Sequence, residues 1–295
     1  MPHSKALSLA CILPFLTLNC TGASTNSNLD HNTTTTGMTG TGTTPTETGT
    51  NPAGTGTNPA GTGEPTTTAD QSTTTQGQYP TPDKLAALTF DDGPDPTATG
   101  AVLDKLEAHQ VPATFFLIGQ KVNDAAVPVL QRAAALGCEF ENHSFGYDSL
   151  TGLTEEQIRK SVGDTVSAIE QYTQTSPVFF RPPNLATDAL MYEVIDLPFV
   201  GGIVAGDFPA QYGGNPTVEA VTDAVLSNVQ DGSIVLMHDV QPELDPHPTP
   251  EALDTIIVEL KQRGFELVTL RELFSRRGVD PTERQDDIWQ SVPGE

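Results

Sequence analysis

Short apolar runs alternate with longer stretches of helical period between residues 80 and 280. Seven runs predict strands: LAALTF (85–90), ATFFLIG (113–119), CEFEN (138–142), SPVFF (176–180), FVGGIVAG (199–206), SIVLMH (233–238) and FELVTL (265–270). Most are nearly continuous in apolar residues, as in strands buried on both faces. Five intervening stretches predict helices: TATGAVLDKLEAHQ (97–110), AAVPVLQRAAALG (125–137), LTEEQIRKSVGDTVSAIEQYT (153–173), TVEAVTDAVLSNV (217–229) and TPEALDTIIVELKQRG (249–264). Val102, Leu103 and Leu106 share one face of the first, and Thr154 precedes two glutamates as an N-cap of the third. Strand–helix alternation predicts an α/β domain built on a parallel sheet covered by helices. Periodicity alone fits either a barrel or an open doubly wound sheet.

The pattern stops on either side of this domain. Residues 6–18 form a 13-residue apolar run, ALSLACILPFLTL, too short to span a bilayer and suited to the core of a secretory signal. Cleavage after Ala23 fits a small-x-small site. Cys20 is the alternative end, as a lipid-anchored N-terminus, although Thr17 stands where a leucine is usual. Residues 24–79 are rich in Thr, Gly and Pro, with TNPAGTG occurring at 50–56 and again at 57–63. Such a segment buries too little apolar surface to offset ordering entropy and predicts a disordered tether. The expected organisation is therefore a signal (1–23), a linker (24–79), one folded domain (80–280) and a C-terminal tail (281–295). The domain is expected outside the cytoplasmic membrane, secreted or held at the cell envelope, and monomeric.

The net charge of −24 argues against nucleic-acid binding, which needs a basic footprint. Cys11 and Cys20 lie in or beside the signal, leaving Cys138 without a partner and no disulfide framework.

The ionisable residues cluster where predicted strands end. Asp91 and Asp92 follow the first strand, His143 the third, Arg181 the fourth, Asp207 the fifth and His238 the sixth. In parallel α/β folds these ends open on one face, where sites form. Singly, each residue has an ordinary structural role: a turn, a hydrogen-bonded histidine, a pinned loop, a helix cap. Together they fit hydrolysis of an amide or ester. One carboxylate would hold a divalent metal with a histidine while its neighbour acts as base, and a second histidine would protonate the leaving group. His109 and His247 read as ordinary surface residues, and the sequon at Asn142 as incidental.

TFDDGP (89–94), ATFFLIG, NHS (142–144), RPP (181–183), DF (207–208) and IVLMHD (234–239) resemble, in order and spacing, the motifs of the polysaccharide deacetylase family, the NodB-homology carbohydrate esterases. The resemblance covers about residues 85 to 274. It implies a distorted parallel (β/α) barrel of about seven strands that removes acetyl groups from N- or O-acetylated glycans of the chitin or peptidoglycan type. It makes Asp91 the base, Asp92 and His143 metal ligands, His238 the acid oriented by Asp207, and Arg181 the residue orienting Asp91. The Asn184 N–H would help hold the oxyanion, with Pro183, Phe208 and Leu236 among the substrate-binding residues. Asn184 replaces the family's usual Tyr, and Phe208 its Trp. The metal implied is zinc, with cobalt, nickel or manganese as alternatives. Tyr147 departs from the pattern, because it stands at the family's second metal-binding histidine. Three readings follow: a phenolate ligand, a water in its place, or an empty site in a non-catalytic glycan-binding domain.

Overall fold

The computed structural model describes residues 79–284 and 286–294; the predicted signal and nearly all of the tether lie outside the described residues. The central sheet is parallel throughout. Its strands are β1 (Lys84–Asp91), β2 (Thr114–Leu117), β3 (Glu139–Asn142), β5 (Ile203–Val204), β6 (Ser233–His238) and β7 (Phe265–Val268). The order runs β3-β2-β1-β6-β5, and β7 pairs with the first half of β1. A separate short pair joins β4 (Phe199–Val200) to β8 (Ile288–Trp289). The helices are α1 (Ala98–His109), α2 (Val127–Ala135), α3 (Glu155–Thr173), α4 (Ala189–Val194), α5 (Val218–Asn228), α6 (Thr249–Gln262) and α7 (Leu270–Arg277). The arrangement is the distorted α/β barrel that the motifs imply.

Strand alternation sorts the core into layers. Ala86, Leu88 and Phe90 of β1 pack outward with Val102, Leu106, Phe115, Val235 and Ile256 beneath the helices. Leu85 and Ala87 face the interior with Phe116, Phe179, Ile234 and Trp289. Each large apolar side chain so buried contributes about 1.5–3 kcal/mol. The same period carries Thr89 and Asp91 to the inner face above Ala87. On β6 it carries Leu236 and His238 above Ile234, with Asp91 and His238 in direct register. The polar residues of the motifs thus continue the inner layer to its mouth.

Two predicted strands differ from expectation. SPVFF forms no strand; only Phe180 bridges, to Asn142 on one side and Phe199 on the other. The backbone N–H groups of Val178 and Phe179 instead donate to buried Glu141, at 2.6 and 2.8 Å. FVGGIVAG is broken in the middle. Its first half pairs with β8 and its second with β6. Gly202 marks the break, at φ +146° and packed so closely that a Cβ would lie 2.6 Å from the Ile234 carbonyl oxygen.

The predicted tail also needs correction. Residues 286–294 are built into the domain, because the break between β4 and β5 exposes backbone and apolar surface that they cover. Trp289 O accepts from Gly201 N–H (2.8 Å), Val292 N–H donates to Gly232 O (2.8 Å), and Trp289 packs edge-on to Phe274 at 5.2 Å. Both Trp289 and Val292 are buried. We therefore expect Trp289→Ala to destabilise the protein by about 3–5 kcal/mol, the usual range for truncating a buried Trp. Urea denaturation of the full chain measures this; a loss below about 1 kcal/mol would make the segment peripheral.

Candidate active site

Arg181 sits at the centre of the barrel mouth with no exposed surface. Its guanidinium lies 4.0 Å from the centroid of the Phe116 ring. Nη1 donates to Asp91 Oδ1 (2.7 Å) and to Thr89 Oγ1 (2.8 Å). Nη2 donates to Gly201 O (2.7 Å) and Nε to Val200 O (3.2 Å). The break in FVGGIVAG thus turns two carbonyls inward to meet the buried guanidinium. Desolvation pulls the Arg181 pKa down and Asp91 opposes it, but a guanidinium stays charged in proteins.

Arg181 also fixes the next residue. Its own carbonyl accepts from His143 Nδ1 at 2.7 Å. A carbonyl cannot donate, so Nδ1 carries the proton and Nε2 points its free side elsewhere. Nε2 lies 3.5 Å from Asp92 Oδ1 and 3.8 Å from Asp91 Oδ2. Asp92 begins the turn after β1 with φ +79°, which swings its carboxylate away from the strand direction. The two adjacent carboxylates therefore have different partners: Asp91 is bound by Arg181, and Asp92 faces His143. Burial pushes the Asp92 carboxyl up, but the neighbouring His143 and the charges of His238 and Lys121 outweigh it and hold it low.

His238 is oriented from behind. Its Nδ1 donates to Asp207 Oδ1 (2.8 Å), and its backbone N–H donates to Asp207 Oδ2 (2.7 Å). Thr249 at the start of α6 donates to the same Oδ2. Burial pulls the imidazole pKa down, but the Asp207 carboxylate, with Asp91 and Asp92, drives it up to about 9. Phe208 packs edge-on to the His238 ring at 5.8 Å. Asp91, Asp92, His143, Tyr147, Pro183, Asn184, Phe208, Leu236 and His238 all line one cavity of about 540 Å³. Asn184 takes the left-handed conformation (φ +57°), and among the described residues its N–H makes no hydrogen bond to another backbone group. Arg181 and Asp207 lie just beneath the lining.

The family model described as polysaccharide deacetylase matches residues 78–197. A family 4 acetyl xylan esterase from Clostridium thermocellum, solved in complex with a cobalt ion, is 48% identical; the likeness covers 71% of this chain and 100% of that one, with a TM-score of 0.67. The chain belongs to the polysaccharide deacetylase family. The bifunctional xylanase/deacetylase of Pseudobutyrivibrio xylanivorans is 42% identical over 209 residues, 71% of this chain and 33% of that protein, so the chain spans about a third of that relative's length. A peptidoglycan-N-acetylglucosamine deacetylase of Bacillus cereus is 33% identical over 197 residues, 66% of this chain and 91% of that one.

Among the described residues, no group of three or more His, Cys, Asp or Glu side chains is arranged to hold an ion. Two donors do converge. The 3.5 Å between His143 Nε2 and Asp92 Oδ1 fits two tetrahedral ligands, each about 2.0–2.2 Å from a divalent ion. Tyr147 lines the same cavity with 39% of its surface exposed. Burial, then the charges of Asp92, Asp239 and Asp95, push its phenol up to about 12, so the neutral form dominates at pH 7. The donor set fits an ion held by one imidazole and one carboxylate.

Sequence reasoning missed three neighbours. Gln241 donates to Asp92 Oδ2 (3.2 Å), and Lys121 Nζ donates to Asp92 O (2.8 Å) while lying 5.4 Å from the Tyr147 ring centroid. Gln241 sits in a loop and Lys121 ends a single 3-10 turn (Gly119–Lys121), and neither stretch carries a periodic signal. His247, read as a surface residue, is mostly buried, with Nε2 3.2 Å from Asp207 O. Its Pro-rich surroundings suggested a loop, and that loop folds back over Asp207. His109 similarly contacts Asp254 of α6 at 3.1 Å.

His238 should titrate near pH 9, protonated below and neutral above. Asp207→Asn removes the main charge that raises it, and the opposing burial remains. The midpoint should then fall to the ordinary histidine value or lower. Histidine NMR titration of the full chain measures this; a midpoint unchanged by Asp207→Asn contradicts the assignment.

Proposed function

We propose that the chain is a metal-dependent hydrolase that removes acetyl groups from acetylated polysaccharide. One observation carries the reading: a carboxylate held by Arg181, an imidazole held by Asp207 and a His143–Asp92 donor pair meet in one cavity. Asp92 and His143 would hold the divalent cation, with zinc the first choice and cobalt, nickel or manganese the alternatives. When bound, the cation supplies Lewis acidity toward the acetyl carbonyl and toward water. Arg181 occupies Asp91 Oδ1 and leaves Oδ2 facing the cavity, where it accepts the proton of the attacking water. The Asn184 N–H is free to donate to the oxygen on which negative charge develops, a role for which a backbone group serves whatever the side chain. His238, protonated at neutral pH, gives its proton to the departing oxygen or nitrogen. Pro183, Phe208 and Leu236 line the space for the acetyl group.

The substrate is an acetylated glycan. The 48% likeness to an acetyl xylan esterase puts O-acetylated xylan first, ahead of the chitin and peptidoglycan type. We place the activity outside the cytoplasmic membrane, on the apolar run and the Thr/Gly/Pro-rich composition of the first 79 residues. Among the described residues, no helix is long and apolar enough to cross a membrane.

A second reading follows from Tyr147. With only two firm donors, the cavity would serve a non-catalytic glycan-binding domain. Acetate release separates the two. The wild type supplied with zinc or cobalt should release acetate from acetylated xylan, and Asp91→Asn should abolish the release without loss of metal. Tyr147→His adds a nitrogen donor and should tighten zinc binding by at least about tenfold, roughly 1.4 kcal/mol. No acetate from wild type or Tyr147→His, on xylan or chito-oligosaccharide with any of the four metals, leaves the glycan-binding reading in place.

A further inference from the structure

A site with two firm donors depends on how those donors are held. His143 is fixed by the Arg181 carbonyl. Asp92 lies on a left-handed turn, where a carboxylate is free to rotate about its last bond and present either oxygen. Two contacts restrict it. Lys121 Nζ donates to the Asp92 carbonyl at 2.8 Å and anchors the backbone. Gln241 Nε2 donates to Oδ2 at 3.2 Å, and Oδ1 is the oxygen that faces His143 Nε2. Gln241 reaches in from the loop after β6 and lines the cavity itself.

We propose that Gln241 is a positioning residue for the metal: its amide binds the outer oxygen of Asp92 and turns the inner oxygen toward His143. This rests on the metal-dependent reading above and deepens it. The physical logic is pre-organisation. A carboxylate already aligned loses little freedom on binding a cation, and partners of this kind usually govern metal affinity by about ten- to a hundredfold. The effect matters more where Tyr147 stands in place of a third strong donor, because fewer bonds remain to align Asp92. Gln241 occupies neither the interior layer nor a helix, so its removal leaves the fold in place.

The test is cobalt(II) binding to the metal-free full chain, read by competition with a chromogenic chelator and by the visible absorption of the bound ion. Gln241→Met keeps the length of the side chain and removes its donor; Gln241→Ala is the second variant, and His143→Ala the control. We expect both Gln241 variants to bind cobalt about tenfold or more weakly, with an altered visible spectrum and an unchanged metal-free melting temperature. His143→Ala should abolish binding at the site. Wild-type affinity and spectrum in both Gln241 variants, with binding lost in His143→Ala, overturn the role of Gln241 and leave the metal site standing. Undiminished binding in His143→Ala overturns the metal-site reading itself and Gln241 with it.

Discussion

A single buried guanidinium organises the mouth of this barrel. Arg181 has no exposed surface, and it satisfies itself on Asp91, Thr89, Val200 O and Gly201 O while stacking on Phe116. Burying a charge is costly, and a buried ion pair is weak evidence for stability on its own. Its effect here is arrangement. Arg181 joins the end of β1 to the broken β4–β5 segment, and its carbonyl sets the tautomer of His143. Removing the guanidinium would strand a buried carboxylate and two inward carbonyls together.

The consequence is a separation of roles between neighbours. Asp91 ends β1 in the interior layer, so it meets Arg181. Asp92 begins a left-handed turn, so it faces His143 and Gln241. Adjacent residues of one chemical type thereby acquire different partners and different uses. The Asp207–His238 pair is built by the same means from the next strand over. Thr249 and His247 close around Asp207 from the loop and helix that follow β6.

Much of this was readable in the sequence, for identifiable reasons. β1, β6 and their helices are long and regular, and their strand-end residues were visible because period-2 alternation continues into Asp91 and His238. The resemblance of the motifs supplied the closure of the barrel. The rest was not readable because it depends on contacts distant in the chain. SPVFF has the composition of a strand, but Glu141 takes its amides and only Phe180 pairs. FVGGIVAG looks continuous, and only packing against Ile234 and β8 shows that its glycines mark a break. Trp289 gave no periodic signal in so short a segment, and its burial depends on that break. Lys121 ends a single 3-10 turn, and Gln241 and His247 lie in loops, so none has a sequence period to place its side chain.

The most direct measurement is a double-mutant cycle between Arg181 and Asp91, read by urea denaturation of the full chain. If the buried pair organises the mouth, Arg181→Met alone should cost about 3–5 kcal/mol, because it leaves an uncompensated buried carboxylate. Adding Asp91→Asn should then recover part of that loss, with a coupling of about 1–3 kcal/mol between the sites. Losses that add to within about 0.5 kcal/mol would contradict the account, since the two residues would then be acting independently.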